Sequence, residues 1–216
     1  MKNGDVLHNE FIDSHEDIIT INGLKDNKTE SFVRVEYLPT GELWEIGKYK
    51  LSVDEPQTPE WFDKVKDKAE RKLKAIINRM IISVDTPMVV GRRIIVKPGV
   101  KILSIRQTVI DVLYKDSQVN EMWGNSQVNV MRENSQVNEM WGNSQVYVMR
   151  GNSQVNVMRG NSRVNEMWGN SQVNVMWGNS QVNVMRENSQ VNEMRGNSQV
   201  NEMWGNSRAP RKPVNN

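Results

Sequence analysis

The chain has 216 residues, with 28 lysines and arginines against 26 aspartates and glutamates, and its formal net charge is +2. This length allows one large domain or two small ones, and the balance of charge gives no support for a dedicated polyanion partner. The absence of cysteine excludes disulfides, thiolate metal sites and a cysteine nucleophile.

No segment of the sequence is typical of a signal peptide or a membrane span. The opening residues, MKNGDVLHNEFIDSHEDIITING, lack a long apolar core, and no run of about 18 apolar residues occurs in the chain. We therefore expect a protein of the cytoplasm or of a virion, with no membrane partner.

Residues 1–57 are predicted to form a small β-rich unit, which is too small to hold a core alone. Apolar and polar residues alternate on both sides of the turn sequence LPTGE. This alternation predicts two antiparallel strands, at about Phe32–Leu38 and Glu42–Ile46. Another short strand is expected at Ile18–Ile21.

Residues 58–80, TPEWFDKVKDKAERKLKAIINRM, predict one amphipathic helix, with Thr58 suited to the N-cap and Pro59 to the first turn. Acidic residues alternate with the lysines of its polar side, which favours a solvated face over a nucleic-acid or membrane surface. We expect this helix to cap the first coils of the repeat region. Apolar residues recur along one stripe at helical spacing: Trp61, Val65, Ala69, Leu73, Ile76 and Met80.

Residues 81–115 are rich in β-branched residues and are predicted to form successive strands. Their last nine residues, QTVIDVLYK, align with the repeat that follows. Ile110 then occupies the position of the repeated valine and Leu113 that of the repeated methionine. Asp111 likewise falls at the asparagine that follows the valine, and Tyr114 at the tryptophan. The repeat architecture is therefore expected to begin here, in a degenerate form.

Residues 116–207 contain ten nonapeptides of the form N-S-Q-V-N-[EV]-M-[WR]-[GE] and the start of a broken one. A fixed period of this kind predicts a solenoid, in which each unit buries its apolar side only against its neighbours. Disorder is the alternative, because asparagine, serine, glutamine and glycine are abundant. The valine and methionine present in every unit argue against disorder.

The orientation of the side chains follows from which positions vary, with the nine positions lettered a to i. Position f is Glu in five copies and Val in five, and position h is Trp in five and Arg in five. A buried position would not accept both Glu and Val, because an unpaired buried carboxylate is costly. Positions f and h are therefore expected to face outward, and the valine at d and methionine at g inward.

This orientation requires a corner between d and g, which we assign to the asparagine at e, and a second corner at the junction from i to a. Each unit is then two short strands and two corners, and two units make a coil of about 18 residues. Coils would stack at roughly 4.8 Å, with asparagines at a and e forming amide ladders. The fold class predicted is thus mainly β: a β-solenoid with a small N-terminal α+β region and one capping helix.

The two-unit coil arranges position h as two columns, which are the candidate ligand-facing surface. Tryptophan can stack on sugars or bases, and arginine can contact phosphate or carboxylate. Two alternatives need no ligand: the columns stack only on themselves as cation–π pairs, or the variation reflects a recent expansion of the repeat. The candidate residues are Trp123, Trp141, Arg159, Trp177 and Arg195 in one column and Arg132, Arg150, Trp168, Arg186 and Trp204 in the other.

Catalytic and cofactor-binding patterns are absent from the sequence, and the prediction is a protein that is not an enzyme and has no cofactor. His8 and His15, with Asp13, Glu16 or Asp17, fit no strong metal motif, so no metal site is assigned. The repeats also lack the aspartates of the calcium-binding nonapeptide.

Residues 208–216 form a polar, basic tail after the last full unit. A solenoid exposes strand edges at its ends, and such edges recruit other chains. Pro210 and Pro213 blunt an edge, but the tail is a thin cover. Association of the protein with itself through the last coil is therefore a candidate interaction, and a protein partner is the leading expectation.

The tract SQVNEMWGNSQVNVMRE, together with the TPEWFDKVKDKAERKL helix and the β-rich segment before it, resembles uncharacterised NSxV-repeat proteins of gut bacteria and their phages. The resemblance extends over residues from about 58 to 207. It implies a β-solenoid and carries no functional residues.

These observations lead to one principal functional hypothesis and two alternatives. The principal hypothesis is a non-enzymatic structural or binding scaffold that presents a rigid β-solenoid and is associated with a phage. The first alternative is a nucleic-acid binder or mimic that acts through the Trp/Arg and Glu columns. The second is a glycan-binding fibre module.

Overall fold

The computed structural model describes residues 5–9, 14–24 and 32–210 and divides the chain into two compact units, residues 1–80 and 81–216. The first unit contains α1 (His15–Ile21), β1 (Val35–Pro39), a short 3-10 helix (Ile46–Lys48), β2 (Tyr49–Val53) and α2 (Trp61–Met80). The strands β1 and β2 pair antiparallel.

Two strand predictions for the first unit are wrong. Ile18–Ile21 belongs to helix α1, which begins where the Ser14 side chain accepts a hydrogen bond from the backbone N–H of Asp17. This serine cap, with acidic residues in the first turn, outweighs the strand preference of the isoleucines. The short β-branched segment alone did not reveal the cap.

The second wrong strand is Glu42–Ile46, which lies in the connection between β1 and β2. The backbone N–H of Thr40 donates to the carbonyl oxygen of Lys48 at 2.7 Å, and the Tyr49 hydroxyl donates to the carbonyl oxygen of Leu43 at 2.7 Å. These bonds close a longer loop than a tight hairpin turn. The partner strand therefore begins only at Tyr49, where the alternation resumes.

The predicted helix is confirmed as α2, although it begins at Trp61, three residues after Thr58. Ala69 and Met80 of the predicted stripe are buried. Phe62, which lies outside that stripe, is also buried and clusters with Val33 and Ala69. The lysine-rich side of the helix is exposed, as expected for a solvated face.

The second unit is a β-solenoid of about seven turns with about 18 residues per coil, as predicted. Its strands alternate between two parallel sheets as the chain advances. The strands are β3 (Ile81–Ile82), β4 (Thr86–Val90), β5 (Arg93–Val96), β6 (Lys101–Arg106), β7 (Val109–Leu113), β8 (Gln118–Trp123), β9 (Gln127–Met131), β10 (Gln136–Met140), β11 (Gln145–Met149), β12 (Gln154–Met158), β13 (Arg163–Met167), β14 (Gln172–Met176), β15 (Gln181–Met185), β16 (Gln190–Met194) and β17 (Gln199–Met203). The even-numbered strands from β4 to β16 form one sheet, here called the even sheet, and the odd-numbered strands from β3 to β17 form the other, the odd sheet.

The degenerate start of the repeat is confirmed by strand pairing. Ile110 pairs with Val128 and Leu113 with Met131, as the alignment of QTVIDVLYK predicts. The same correspondence extends one strand earlier, since Ile102 of β6 pairs with the repeat valine of β8. The solenoid therefore includes coils in which little of the repeat sequence can be recognised.

The inward positions are also confirmed, because the valines at d and the methionines at g are fully buried through the middle of the solenoid. Each unit nevertheless contains one strand of five or six residues rather than two short ones. In the pairing of β10 with β12, Val137 pairs with Val155 and Glu139 with Val157, and the asparagine between them is skipped. The corner at e is thus a bend within one strand.

The corner from i to a is a tight turn between successive strands. In the turn Trp123–Ser126, the backbone N–H of Ser126 donates to the carbonyl oxygen of Trp123 at 3.3 Å. Gly124 has φ +66 at the first central position, whereas the following asparagine has no positive φ. A positive φ at that position alone is characteristic of a type II′ turn, in which glycine is favoured. Glu133 and Glu187 occupy the same position with φ 56 and 57.

Candidate functional site

Position h of the even sheet forms a continuous stacked column on one outer wall. The rings of Trp123 and Trp141 stack with centroids 5.1 Å apart and planes inclined by 5°. The Arg159 guanidinium carbon lies 4.8 Å from the centroid of Trp141, and that of Arg195 lies 4.5 Å from the centroid of Trp177. These separations are those of aromatic stacking and cation–π contact, so the residues of this column contact one another.

Position h of the odd sheet forms the second column, which is less continuous. Arg186 lies over Trp168, with its guanidinium carbon 4.8 Å from the ring centroid. Arg132 and Arg150 occupy successive coils, and both are exposed. The second column therefore has two neighbouring cations on its surface, unlike the first.

Both columns continue into the degenerate coils. Arg106 lies 5.7 Å from the ring centroid of Trp123, and Arg132 lies 5.8 Å from that of Tyr114. Tyr114 was aligned with the repeat tryptophan, whereas Arg106 was missed because β6 was not aligned with the repeat. The arginine at the end of the strand sequence KILSIR was the available signal.

A hydrogen bond links the two outward positions of a unit. The indole nitrogen of Trp123 donates to Oε2 of Glu121 at 2.8 Å. Because f and h are two residues apart on one wall, their side chains lie side by side. This contact gives a physical reason for the frequent occurrence of Glu at f with Trp at h. The same bond joins Trp168 to Glu166 at 2.8 Å and Trp204 to Glu202 at 3.3 Å.

Units that depart from this pairing have other contacts. Glu193 forms an ion pair with Arg195 of its own unit. Glu139 has Trp141 at h in its own unit, yet it lies 3.8 Å from Nε of Arg159 in the next coil. The indole nitrogen of Trp141 has no hydrogen-bond partner among the described residues. Trp177, whose unit has Val at f, lies between Arg159 at 6.0 Å and Arg195. The outer walls are thus largely occupied by contacts within the chain.

The structure places all ten candidate residues on the two predicted columns, but it exposes them unequally. Trp204 is the most exposed tryptophan of the solenoid, at 58%. The exposed arginines are Arg132, Arg150 and Arg195, and the half-buried candidates are Trp123, Trp141, Arg159, Trp168, Trp177 and Arg186. Contact of these residues with a ligand stays a prediction.

Stacked asparagines form the predicted amide ladders along the axis. At position e of the even sheet, Nδ2 of Asn156 donates to Oδ1 of Asn138 at 2.9 Å, and Asn174 donates to Asn156 at 3.0 Å. Ladders at position a have longer bonds, such as 3.3 Å from Asn161 to Asn143. Tyr147 replaces the asparagine of one e ladder and is 37% exposed, in accord with room on the outer side of this bend.

Two aspartates lie at the N-terminal ends of ladders. Oδ1 of Asp111 accepts from Asn129 at 3.1 Å, and Oδ1 of Asp116 accepts from Asn134 at 3.2 Å. An ionised carboxylate only accepts hydrogen bonds, so it suits the end toward which every ladder donates. Asp111 also pairs with Arg93, whose Nη2 lies 2.7 Å from Oδ1. Sequence reasoning missed this ion pair, although it had aligned Asp111 with the asparagine at e.

The serine at position b lies in the interior of the solenoid and is buried in each of the ten full units. The Ser126 hydroxyl donates to the carbonyl oxygen of Trp123 at 2.8 Å, and that of Ser117 donates to Lys97 at 3.0 Å. In later coils the hydroxyl has no partner within the described ranges; these serines are Ser135, Ser144, Ser153, Ser162, Ser171, Ser180, Ser189, Ser198 and Ser207. The interior therefore contains two rows of small polar groups among apolar side chains.

The first unit contains a cavity of about 290 Å³ with a largely apolar lining that includes Phe32 and Leu73. His8 and His15 lie at this cavity, and Nδ1 of His15 is 3.4 Å from Oδ2 of Asp54. Across residues 5–9, 14–24 and 32–210, no group of three or more His, Asp or Glu side chains is arranged to hold a metal ion. Asp13, which was considered with the histidines, lies outside these ranges.

Comparison with known proteins adds no relative. No protein-family model, curated protein or solved structure matches the chain. Within the part of the chain that the structure describes, no helix is long and apolar enough to cross a membrane.

Proposed function

We propose that this protein is a non-enzymatic scaffold that presents a rigid β-solenoid. The observation that supports it is that most tryptophans, arginines and glutamates of the outer walls contact one another. Tryptophans stack on tryptophan or arginine, as at Trp123 and Trp141, and glutamates accept bonds from indole nitrogens, as at Glu121. Side chains engaged in this way stiffen the wall, and a ligand would have to displace existing contacts.

The ladders and the parallel sheets add to this stiffness, since each coil is bonded to the next through backbone and side-chain amides. In the proposed role, the N-terminal unit attaches the protein to a partner and the solenoid sets a fixed distance from it. Association with a phage, in the cytoplasm or in a virion, is part of the proposal and depends on the resemblance to NSxV-repeat proteins.

A distance measurement tests the scaffold role directly. Gln118 and Gln190 occupy the same position four coils apart in the even sheet. Because the chain has no cysteine, Gln118→Cys and Gln190→Cys admit two spin labels and no others. In protein diluted with unlabelled chains, a rigid solenoid gives one narrow distance distribution near roughly 19 Å. A broad distribution contradicts a rigid scaffold.

The nucleic-acid alternative has one observation in its favour, the neighbouring exposed arginines Arg132 and Arg150. Against it, Glu and Arg both occur on each wall, so neither wall is a basic stripe. A shift of duplex DNA that weakens with salt and is lost in Arg150→Gln supports binding. No shift at low salt removes this alternative.

The glycan alternative depends on tryptophan faces that are open to a sugar. In the even sheet these faces are already covered, since Trp141 stacks on Trp123 and contacts Arg159. A glycan-binding module predicts loss of binding on Trp141→Ala or Trp177→Ala. Binding that survives both substitutions, or no binding on a glycan array, favours the scaffold.

A further inference from the structure

At the edge of β17, inward-facing side chains of the repeat are partly exposed at the surface of the solenoid. Within the described ranges, β17 has a single neighbour, β15, and it is the last strand of the odd sheet. Met185 of β15 is fully buried, whereas the equivalent Met203 of β17 is 43% exposed. The two strands differ in sequence only at position f, so the exposure comes from the missing neighbour.

The last strand of the even sheet, β16, is partly covered at its edge by the chain that follows β17. Arg208 forms a parallel bridge with Gln190, and its carbonyl oxygen accepts from the backbone N–H of Val191 at 2.8 Å. The side chain of Ala209 packs against the solenoid core. The beginning of the β16 edge is therefore covered by the chain itself, and β17 has the open edge.

A strand that covers β17 must place apolar side chains inward at the same two places. From c to h, the inward and outward positions of a unit read out, in, out, out, in, out, as the burial pattern of β8 across Gln118–Trp123 shows. This order is the same in both directions. If a second strand of this kind is turned through 180° and paired with the first, its inward positions therefore still lie opposite inward positions. A six-residue strand whose inward and outward positions alternate regularly lacks this property.

We infer that a second copy of this chain covers the open edge, with β17 of each copy paired antiparallel about a two-fold axis. Two-fold interfaces use the same surface on both subunits and so require self-complementarity, which the reversible pattern supplies. This inference names a partner for the proposed scaffold, but it depends on the edge and not on the stiffness of the solenoid.

The pattern specifies the register of this pairing. Val200 of each copy lies opposite Met203 of the other. The two-fold axis therefore generates two such pairs, and all four inward side chains are buried. Asn201 then lies opposite Glu202 of the second copy. Nδ2 of Asn201 donates to Oδ1 of Asn183 at 3.2 Å, and an amide group has a second N–H that can donate to a carboxylate. The edge thus pairs a donor with an acceptor where the walls meet.

Association of the full chain tests the inference. Sedimentation equilibrium is expected to show a monomer–dimer equilibrium, and Met203→Asp is expected to raise its dissociation constant at least about tenfold, because the carboxylate would be buried. Leu103→Asp is the matched control, since Leu103 is 54% exposed on β6 and distant along the solenoid. A strict monomer overturns the inference, and so does a dimer lost in Leu103→Asp but kept in Met203→Asp.

Spin labels distinguish the tail-to-tail arrangement from head-to-tail stacking. A label at Trp204→Cys should lie roughly 18 Å from its mate, and one at Arg132→Cys, four coils away on the same sheet, roughly 45 Å from its mate. Head-to-tail stacking gives equal distances at both positions and overturns the inference. Circular dichroism of each variant confirms that the solenoid is folded. A rigid but monomeric protein would leave the scaffold role intact and contradict only this inference.

Discussion

The indole nitrogen of Trp168 donates a hydrogen bond to Oε2 of Glu166, 2.8 Å away and two residues earlier in the same unit. Arg186 of the next coil lies over the Trp168 ring, with its guanidinium carbon 4.8 Å from the ring centroid. The variable positions of the repeat are therefore coupled both within a unit and between coils. A change at one of them alters the environment of the other two.

Double-mutant cycles can measure the coupling within the unit. Glu166→Val combined with Trp168→Phe should show a coupling free energy of about 1 kcal/mol in denaturant unfolding, the usual contribution of one hydrogen bond. Glu166→Val combined with Trp177→Phe is the control, because Trp177 belongs to the other sheet. Equal coupling in the two cycles would show that the bond is not responsible.

At position i of the turns, replacing a glutamate by glycine and replacing a glycine by alanine are expected to change the stability of the protein in opposite directions. Glu133 has φ 56, a conformation that is costly for a residue with a side chain, so Glu133→Gly should stabilise the protein by about 1 kcal/mol. Gly169→Ala should destabilise it by more, since the added Cβ would lie 3.1 Å from the backbone of Gly151. Thermal unfolding monitored by circular dichroism measures both.

Glu187 is an internal comparison for that experiment. Its φ is 57, but its carboxylate accepts a hydrogen bond from the backbone N–H of Gly169 at 2.7 Å. Glu187→Gly should therefore stabilise less than Glu133→Gly, because relief of the backbone is offset by the lost bond. A larger gain at Glu187 would contradict this account.

The buried serines predict unequal effects of the same substitution. Ser171 is fully buried, and its hydroxyl has no hydrogen-bond partner in the described part of the chain, so Ser171→Ala should be neutral or slightly stabilising. Ser126→Ala should cost about 1 kcal/mol, because the hydroxyl of Ser126 donates to the carbonyl oxygen of Trp123. The comparison is made by urea unfolding of the two variants, and equal losses would mean that Ser171 has an unrecognised partner.

Arg93 makes a prediction for the start of the solenoid. Its guanidinium pairs with Asp111, whose side chain is only 18% exposed. Arg93→Met should lower the free energy of unfolding by about 1–3 kcal/mol, because the carboxylate is left partly buried without its charged partner. Adding Asp111→Asn should recover much of the loss, since an amide at this position can still accept from Asn129. Failure of this rescue would show that Arg93 acts through packing instead.

The solenoid could be predicted from the sequence because its repeat separates fixed from varied positions. A site that holds Glu in some copies and Val in others must face outward, and this single deduction oriented Val at d and Met at g. The pairing of strands 18 residues apart followed from it, as Val137 with Val155 confirms. What the deduction could not supply was the contact between Glu121 and Trp123, because co-occurrence does not specify geometry.

The structure of the first unit was harder to predict because its sequence has no repeats, so each short segment had to be assigned as helix or strand from its own residues. The isoleucines of Ile18–Ile21 favour a strand by propensity, and the serine that caps α1 outweighs them. The loop before Tyr49 is closed by hydrogen bonds from Thr40 to Lys48 and from Tyr49 to Leu43, which composition does not reveal. In both cases a few specific polar contacts decided the structure against a weak statistical preference.

The constant sequence separation of paired residues in the repeats also bears on how the protein folds. Parallel sheets usually join distant parts of a chain, which slows folding because large loops must close first. Here the residues that pair in the repeats are 18 apart, as in Gln136 with Gln154, and every coil after the first can use the preceding one as a template. Synthesis from the N-terminus would supply the coils in that order. The fifteen strands of the two sheets can thus be added one after another during translation, and each addition closes only a short loop.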